Sequence, residues 1–525
     1  MSDMTDSRPI DRSKLFLAVL SGVLMTAAFP RTGWFWIAWV ALIPLLLALR
    51  DVTAKDAFRL GWLCGLVHAG GLLYWLVHTM SSYGHLPLAL SAGILLFFCT
   101  YIGLYTALFG TLVLQLGHTP GRALAAAPLL WAALEYLRSF MLTGFTWGYL
   151  GHAQYRWLTL IQSADMWGVY GLSALIVLVN TALFLLILAR ADKAWQGRPV
   201  ARALAGRALL LAGVCMVANI GYGWTRLDQV QEMEARAATL RVGLAQGNIP
   251  QSEKWDPAFQ IASTKTYVQL SGKLAAESPD LIVWPETATP FYLFHNEALT
   301  RIVQRGIRNA GCAHIIGSPA VRRNEEGAAY FNSAYLLDAE GKALGRYDKA
   351  HLVPFGEYVP LKRWLPFLGK IVAQVGDFHA GPPGGTLAYG GHRIGPLICY
   401  DGIFPELSRK AVANGADLLV NLTNDAWYGR TSAPHQHLVQ YVFRAVETRR
   451  SLVRATNTGI SAFIRPGGQL ENTTDLFETA ARLQTVPCLK TRTLYVRVGD
   501  AFALLCLAVV VGMGLAQWRR RRKGA

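Results

Sequence analysis

No Cys-x-x-Cys pair occurs in the chain, and its seven cysteines, Cys64, Cys99, Cys215, Cys312, Cys399, Cys488 and Cys506, stand far apart. That spacing excludes a ribbon-type zinc site, and with four of the seven inside long apolar runs it excludes a disulfide framework. A Cys312–Cys488 bridge stays open. Internal repeats are absent, and low-complexity sequence is confined to the terminal arginine run Arg519–Arg522. The apolar runs contain no sustained polar or charged pathway, which disfavours a transporter. His435 and His437 alternate before a helical stretch, but no third ligand accompanies them, so no metal is expected. Nor does any segment call for a cofactor. The formal net charge of +17 invites a nucleic-acid reading, yet much of it flanks the apolar runs, where basic residues set membrane topology and meet anionic headgroups.

What the chain has in abundance is apolar sequence, at 53% hydrophobic residues. Runs near the length needed to cross a bilayer are Leu15–Phe29, Trp34–Leu49, Leu60–Val77, Leu86–Leu116, Ala123–Leu142, Trp167–Leu188, Leu204–Tyr222 and Ala501–Gln517. About eight spans are therefore expected. Basic residues (Arg8, Arg12 and Lys14; Arg50, Lys55 and Arg59; Arg190 to Arg207; Arg519 to Lys523) recur on one face of that alternation. The positive-inside rule puts that face, and both termini, in the cytoplasm. The expected organisation is transmembrane helices over 1–224, an extracytoplasmic domain over 225–498, and a last helix with a basic cytoplasmic tail over 499–525. Within the fifth run, Glu135 and Arg138 have the spacing of a local helical pair. The aromatic connection Thr143–Met166 is expected to anchor at the interface, or to re-enter the membrane and help bind a lipid.

Past Gly223 the pattern changes to short apolar runs separated by Gly, Pro, Asn and Asp. Leu240–Ala245, Leu281–Val283, His314–Ile316, Ala334–Leu337, Arg393–Ile398, Leu418–Asn421 and Ser461–Ile464 read as strands. Many are continuously apolar, as strands covered by helices on their faces are. Asp256–Leu274, Glu297–Ala310, Glu406–Asn414 and Gln436–Ser451 read as helices between them, and the alternation argues for an α/β domain. Asp338-Ala339-Glu340-Gly341 fits a hairpin turn.

Chemistry concentrates at three strand ends. Cys399 closes the run Gly395-Pro396-Leu397-Ile398, Glu286 follows Leu281–Val283 in Trp284-Pro285-Glu286, and Lys349 follows Arg346-Tyr347-Asp348. A thiol needs a base or a positive field to react at neutral pH. Glu286 can take and return its proton, and the Lys349 ammonium can hold a tetrahedral oxyanion with a backbone N–H such as that of Tyr400. Glutamate, lysine and cysteine in that order point to acyl transfer.

The segments around these residues resemble the nitrilase superfamily, and specifically its membrane branch, the apolipoprotein N-acyltransferases. The resemblance rests on Gln246–Gln251, Lys254-Trp255-Asp256, Trp284–Ala288, Tyr347–Pro360, Cys399-Tyr400 and Asn424–Gly429, with apolar runs on either side. It implies an αββα sandwich with Glu286 as base, Lys349 as oxyanion stabiliser and Cys399 as nucleophile, while Trp255, Glu357 and Tyr400 support the site or bind substrate. Asp401 stands where this branch often carries Glu, which opens the question of its supporting role. The implied reaction moves a fatty acyl chain from a phospholipid through a Cys399 thioester to the α-amine of a lipoprotein's N-terminal diacylglyceryl-cysteine, at the outer leaflet of the bacterial inner membrane. Phe291, Leu293, Phe294, Val359, Leu361, Trp364, Leu365, Phe367 and Leu368 are candidates for a lipid-facing lid. A membrane-tethered amidase acting on a small amide, and a transporter or receptor with a nitrilase-like binding domain, are the rival readings.

Overall fold

Each long apolar run becomes a helix, with two instructive departures. The computed structural model describes residues 10–324, 327–359 and 377–523. Helices Arg12–Ala27, Leu88–Leu116, Pro120–Arg138, Ala164–Arg190, Arg202–Ala235 and Ala501–Lys523 cover six of the eight runs. The Leu60–Val77 run is instead a bent pair, Ala54–Leu73 and Trp75–Ser82, with 52° between them. Trp34–Leu49 is broken into the 3-10 turn Phe35–Trp39 and the short helix Ile43–Ala48. Asn180 explains that break, since its side chain donates to Ala38 O and accepts from Leu42 N, both at 2.9 Å. By length and composition, four helices among the described residues suffice to cross a membrane, or five if the bent pair is one span. The 16 residues of Arg12–Ala27 make about 24 Å of helix, short of a hydrocarbon core of about 30 Å. Pro120–Arg138 carries Arg122, Glu135 and Arg138.

The Glu135–Arg138 spacing is not spent on a local pair. Glu135 Oε1 accepts from Trp131 Nε1 at 2.9 Å and from Leu150 N at 2.8 Å, and Arg138 Nη2 donates to Trp147 O at 3.2 Å. Both side chains thereby fasten the aromatic connection, which is buried protein rather than an interfacial anchor: Trp147, Tyr149 and Leu150 are each at most 1% exposed.

The α/β part holds two six-stranded sheets. In one, Ala238–Gln246, Leu281–Val283 and Ala313–Asn324 run parallel, flanked by antiparallel Ala480–Cys488 and Gly327–Leu337, and beyond the latter Ala343–Asp348 pairs antiparallel to it and so runs with the first three. In the other, His392–Ile398, Leu418–Thr423 and Ser451–Thr456 run parallel, with antiparallel neighbours at either side. Val242, Val283, Ile315, Ile398, Val420 and Val453 meet between the sheets. Helices Pro257–Ala275 and Glu297–Ala310 cover the outer face of the first sheet through Tyr267, Leu270, Val303 and Ile307. Pro405–Ala413 and Ala433–Thr448 cover the second, giving four layers.

That last helical layer is shared. One continuous apolar core runs from Leu72, Trp75 and Trp147 in the bundle to Phe404, Tyr441, Val442 and Leu397 in the sandwich. Charged contacts cross the same boundary: Asp165 Oδ2 lies 2.8 Å from Arg449 Nη2 and 2.7 Å from Arg226 Nε. Arg409 also clasps Asp500 with two bonds of 2.6 and 2.7 Å. Buried ion pairs are costly unless fully partnered, and here Arg449 also donates to Gln162 O at 3.0 Å and Pro466 O at 3.1 Å.

The expected Asp338–Gly341 turn is present, closed by Asp338 N to Lys342 O at 2.9 Å with Gly341 at φ 79°. Cys312 and Cys488 are both free thiols. Of the lid candidates, Phe291, Leu293 and Val359 are buried and Phe294 is 40% exposed, while Leu361, Trp364, Leu365, Phe367 and Leu368 lie outside the described residues.

Candidate active site

Parallel strands deliver whatever follows them to one rim. His392–Ile398 delivers Cys399, Leu418–Thr423 delivers Asn424 and Asp425, Ser451–Thr456 delivers Asn457, and from the other sheet Leu281–Val283 delivers Glu286. Ala343–Asp348, which runs in the same direction as Leu281–Val283, brings in Lys349 at that rim, and the Lys349 N–H donates to Asn332 O at 2.8 Å and so prolongs the ladder. Glu286, Lys349 and Cys399 thus converge on one rim, and each is at most 7% exposed.

Lys349 Nζ lies 2.9 Å from Glu357 Oε2, 3.0 Å from Glu357 Oε1 and 3.6 Å from Glu286 Oε1. Burial by itself would drive the ammonium to lose its proton, but the Glu357 and then the Glu286 carboxylates outweigh it and hold the group well above its ordinary range. Asn332 sits between the two acids, its Nδ2 donating to Glu286 Oε1 at 2.7 Å and to Glu357 Oε1 at 2.9 Å. Glu286 Oε2 accepts from Asn424 N at 2.9 Å, and Val353 N anchors Glu357 Oε2 at 2.9 Å. A second ammonium, Lys254, donates to the main-chain oxygen of Glu286 at 3.0 Å. Burial pulls it down to about 8, with Glu286 and Cys399 opposing.

Cys399 adopts φ 48°, a left-handed conformation that costs a side-chain-bearing residue roughly 1–2 kcal/mol. The chain turns there from strand to the 3-10 segment Cys399–Ile403. Tyr441 holds the strained residue by donating its O–H to Cys399 O. Behind Tyr441, Asn421 Nδ2 donates to the phenolic oxygen at 2.9 Å, Arg454 Nη1 donates to Asn421 Oδ1 at 2.7 Å, and Arg454 Nη2 reaches Asp425 Oδ2 at 2.7 Å. Burial, and after it the Glu286 charge, push the Cys399 thiol well above its usual range, while Lys349 opposes them. The resting sulfur is protonated, and a thiol in that state reacts only if its proton is removed as it attacks.

Asp401 is fully buried and ties two loops together. Oδ1 accepts from His351 N at 2.7 Å, and Oδ2 accepts from Ile398 N at 3.1 Å and Tyr347 O–H at 2.9 Å. It therefore holds the residue before Cys399 against both flanks of Lys349. His351 stacks on Phe404 at 3.7 Å between ring centroids, and burial lowers it to about 4, with the Lys349 charge adding, so it remains neutral there. Tyr400 is buried and packs edge-on to Phe404 at 5.2 Å. Trp255 stands apart from this cluster at 49% exposure.

Sequence reading left Asn332, Asn421, Tyr441 and Arg454 out of the site, because they come from strands and a helix remote in sequence and no local motif singles them out. His437 joins the same support: its Nδ1 is 2.9 Å from Asp425 Oδ1, and its ring stacks on Trp147 at 5.4 Å.

Family comparison places both halves of the chain. Residues 21–182 match the apolipoprotein N-acyltransferase N-terminal domain and residues 241–486 match the carbon-nitrogen hydrolase family. An apolipoprotein N-acyltransferase of Geobacter metallireducens is 44% identical over 520 residues, 99% of this chain and 98% of its own. The chain belongs to the apolipoprotein N-acyltransferase family. Its relative in Methylococcus capsulatus is 33% identical over 96% of both chains, and that in Gloeobacter violaceus 35% identical over 96% of this chain and 95% of its own. Among solved structures, an amidase from Nesterenkonia sp. aligns with 50% of this chain and 94% of its own, at 22% identity and a TM-score of 0.37. Family membership makes the chain an acyltransferase, and the buried thiol belongs to its carbon-nitrogen hydrolase part.

Proposed function

We propose that this enzyme moves a fatty acyl chain from a phospholipid to the α-amine of a lipoprotein's N-terminal diacylglyceryl-cysteine, with Cys399 as the relay. In the first half, the sulfur attacks the acyl ester carbon while Glu286 takes the thiol proton. The new S–C bond forms, the ester C–O bond breaks, and the proton passes from Glu286 to the departing lysophospholipid oxygen. In the second half the amine nitrogen attacks the thioester carbon while Glu286 takes a proton from it; the N–C bond forms, the C–S bond breaks, and Glu286 passes that proton to the departing sulfur. Lys349 stabilises the tetrahedral oxyanion of both halves. Glu357 and Asn332 fix the ammonium and hold Glu286 in place, Asp401 and Tyr400 frame the nucleophile, and Trp255 meets substrate at the exposed edge.

The observation that carries this reading is a buried thiol on a strained strand end beside a Glu–Lys pair, in a sandwich whose helical face is continuous with an apolar bundle. Substrates whose acyl chains stay in the bilayer require that arrangement; a small soluble amide does not. The reading places residues 225–498 outside the cytoplasm and both termini inside, with about eight apolar segments in the inner membrane and the short and broken ones completing the bundle.

Incubation with a phospholipid carrying a labelled acyl chain and no acceptor tests the first half by peptide mass spectrometry. A hydroxylamine-labile acyl mass on the Cys399 peptide, absent in Cys399→Ala and discharged by a diacylglyceryl-cysteine peptide that becomes N-acylated, is expected. Release of free fatty acid without transfer would favour a hydrolase, and no acyl mass with several donors would overturn the relay.

A further inference from the structure

Away from the rim, at the end of the bundle where the last helix finishes, lies a cleft of about 420 Å³ bounded by helices Leu88–Leu116, Pro120–Arg138 and Ala501–Lys523. Leu130, Leu134, Leu507 and Val510 make its apolar floor, and Gln517, Trp518 and Arg521 close one end. From Leu507 to Arg521 is 14 residues of helix, about 21 Å. Arg521 is the one charged side chain lining the cleft among the described residues.

Its surroundings amplify that charge. Arg519 to Lys523 are all basic and the last helix contains no acidic residue, so no carboxylate on that helix neutralises the run. Arg522 lies 4.1 Å over the Trp518 ring, which holds a second guanidinium at the same mouth. A helix this poorly covered by protein, with 11% of its apolar window buried, leaves the cleft open to hydrocarbon along its length.

We propose that this cleft is a binding site for a phospholipid with an anionic headgroup, distinct from the acyl donor at Cys399. One acyl chain lies along the Leu130, Leu134, Leu507 and Val510 floor, and the phosphate meets Arg521 at the basic mouth. Basic clefts between membrane helices select anionic headgroups on electrostatic grounds, each arginine near the surface being worth about fivefold in affinity. The occupant is a lipid rather than a second copy because the charges at the mouth, Arg521 and Arg522, are both positive and no carboxylate is among the described lining residues, so two copies would oppose like charges there.

Gly514 supplies the decisive probe. Gly514 lines the cleft and a Cβ built at it meets nothing within 4 Å, so alanine is accommodated there and phenylalanine is the larger probe of the same wall. The full-length protein in mild detergent would be titrated with dioleoyl-phosphatidylglycerol or dioleoyl-phosphatidylethanolamine and its bound lipids counted by native mass spectrometry. Wild-type and Gly514→Ala protein should retain one phosphatidylglycerol more than phosphatidylethanolamine. Gly514→Phe should lose that extra lipid, and Arg521→Gln should weaken it about fivefold while leaving phosphatidylethanolamine unchanged. Equal retention of the two lipids by wild type, undiminished phosphatidylglycerol in Gly514→Phe, or a dimer that Gly514→Phe dissociates would each overturn the proposal. Should Gly514→Phe fail to fold, the headgroup preference of wild type against Arg521→Gln decides alone.

Discussion

Replacing Lys349 by Met separates the electrostatic and catalytic duties of the ammonium. The side chain is 1% exposed and its Nζ stands between two buried carboxylates, 2.9 Å from Glu357 and 3.6 Å from Glu286. Methionine fills nearly the same volume, so the change is chiefly one of charge. Removing one partner of a buried pair costs about 3–5 kcal/mol, because the remaining charge loses its compensation. Asn332 can serve both acids, but it supplies hydrogen bonds and no charge. At about 2–4 °C per kcal/mol for a unit of this size, the thermal midpoint should fall by roughly 6–20 °C. Loss of an oxyanion stabiliser should slow thioester formation by about 10²–10³-fold. The double variant Lys349→Met/Glu357→Gln removes the surplus carboxylate, so it should recover much of the lost midpoint and none of the lost rate. Thermal unfolding in detergent, paired with single-turnover acylation of Cys399, reads both. An unchanged midpoint in the single variant would refute the buried network, and recovery of rate in the double variant would refute the catalytic assignment of Lys349.

Three further outcomes follow from the same geometry. Glu286→Gln should slow acylation by about 10²–10⁴-fold through loss of the proton acceptor, yet shift the pH profile of Cys399 alkylation to lower pH, because the carboxylate that raises the thiol is gone; a profile moved upward would contradict the pairing. A Cβ at Gly317 would stand 2.3 Å from Pro285 O and 2.7 Å from the Glu286 Cα, so Gly317→Ala should cost about 1–3 kcal/mol and displace the base, seen as reduced acylation at temperatures where the variant remains folded; wild-type acylation would show that the backbone there yields. Burial raises the Asp401 carboxyl from 3.8 to about 6 against the pull of Lys349 and three hydrogen bonds. The unfolded chain therefore ionises first, and about 3 kcal/mol of stability should be lost as pH rises from about 3 to about 7, roughly 2 kcal/mol of it between 4 and 6; melts over that range should show a flatter limb in Asp401→Asn, and parallel limbs would refute the attribution.

Much of the α/β architecture was readable because its strands are short, continuously apolar and set off by Gly, Pro and Asp. The strands Ala343–Asp348, Ser451–Thr456 and Ala480–Cys488 escaped that reading. Arg346, Arg454 and Arg482 interrupt them, and whether an arginine is buried depends on partners that only the folded chain supplies, as Asp425 does for Arg454. Hydropathy found every apolar run but could not show that Asn180 captures Ala38 and Leu42 and so breaks the second. The Tyr347–Pro360 motif and Cys399 were legible because their residue types are unusual together. Asn332 and Tyr441 were not, since a lone Asn in a strand and a lone Tyr in a helix carry no sign of what lies across the rim.

The single core that runs through bundle and sandwich makes solvent quality part of catalysis. Tyr441, which holds the strained Cys399, shares that core with Trp147 and Leu72, so a detergent that loosens the helices reaches the scaffold of Cys399 before it reaches the far sheet. Excising residues 225–498 would uncover this whole apolar face to water. A soluble fragment is thus the wrong object for inhibitor screening.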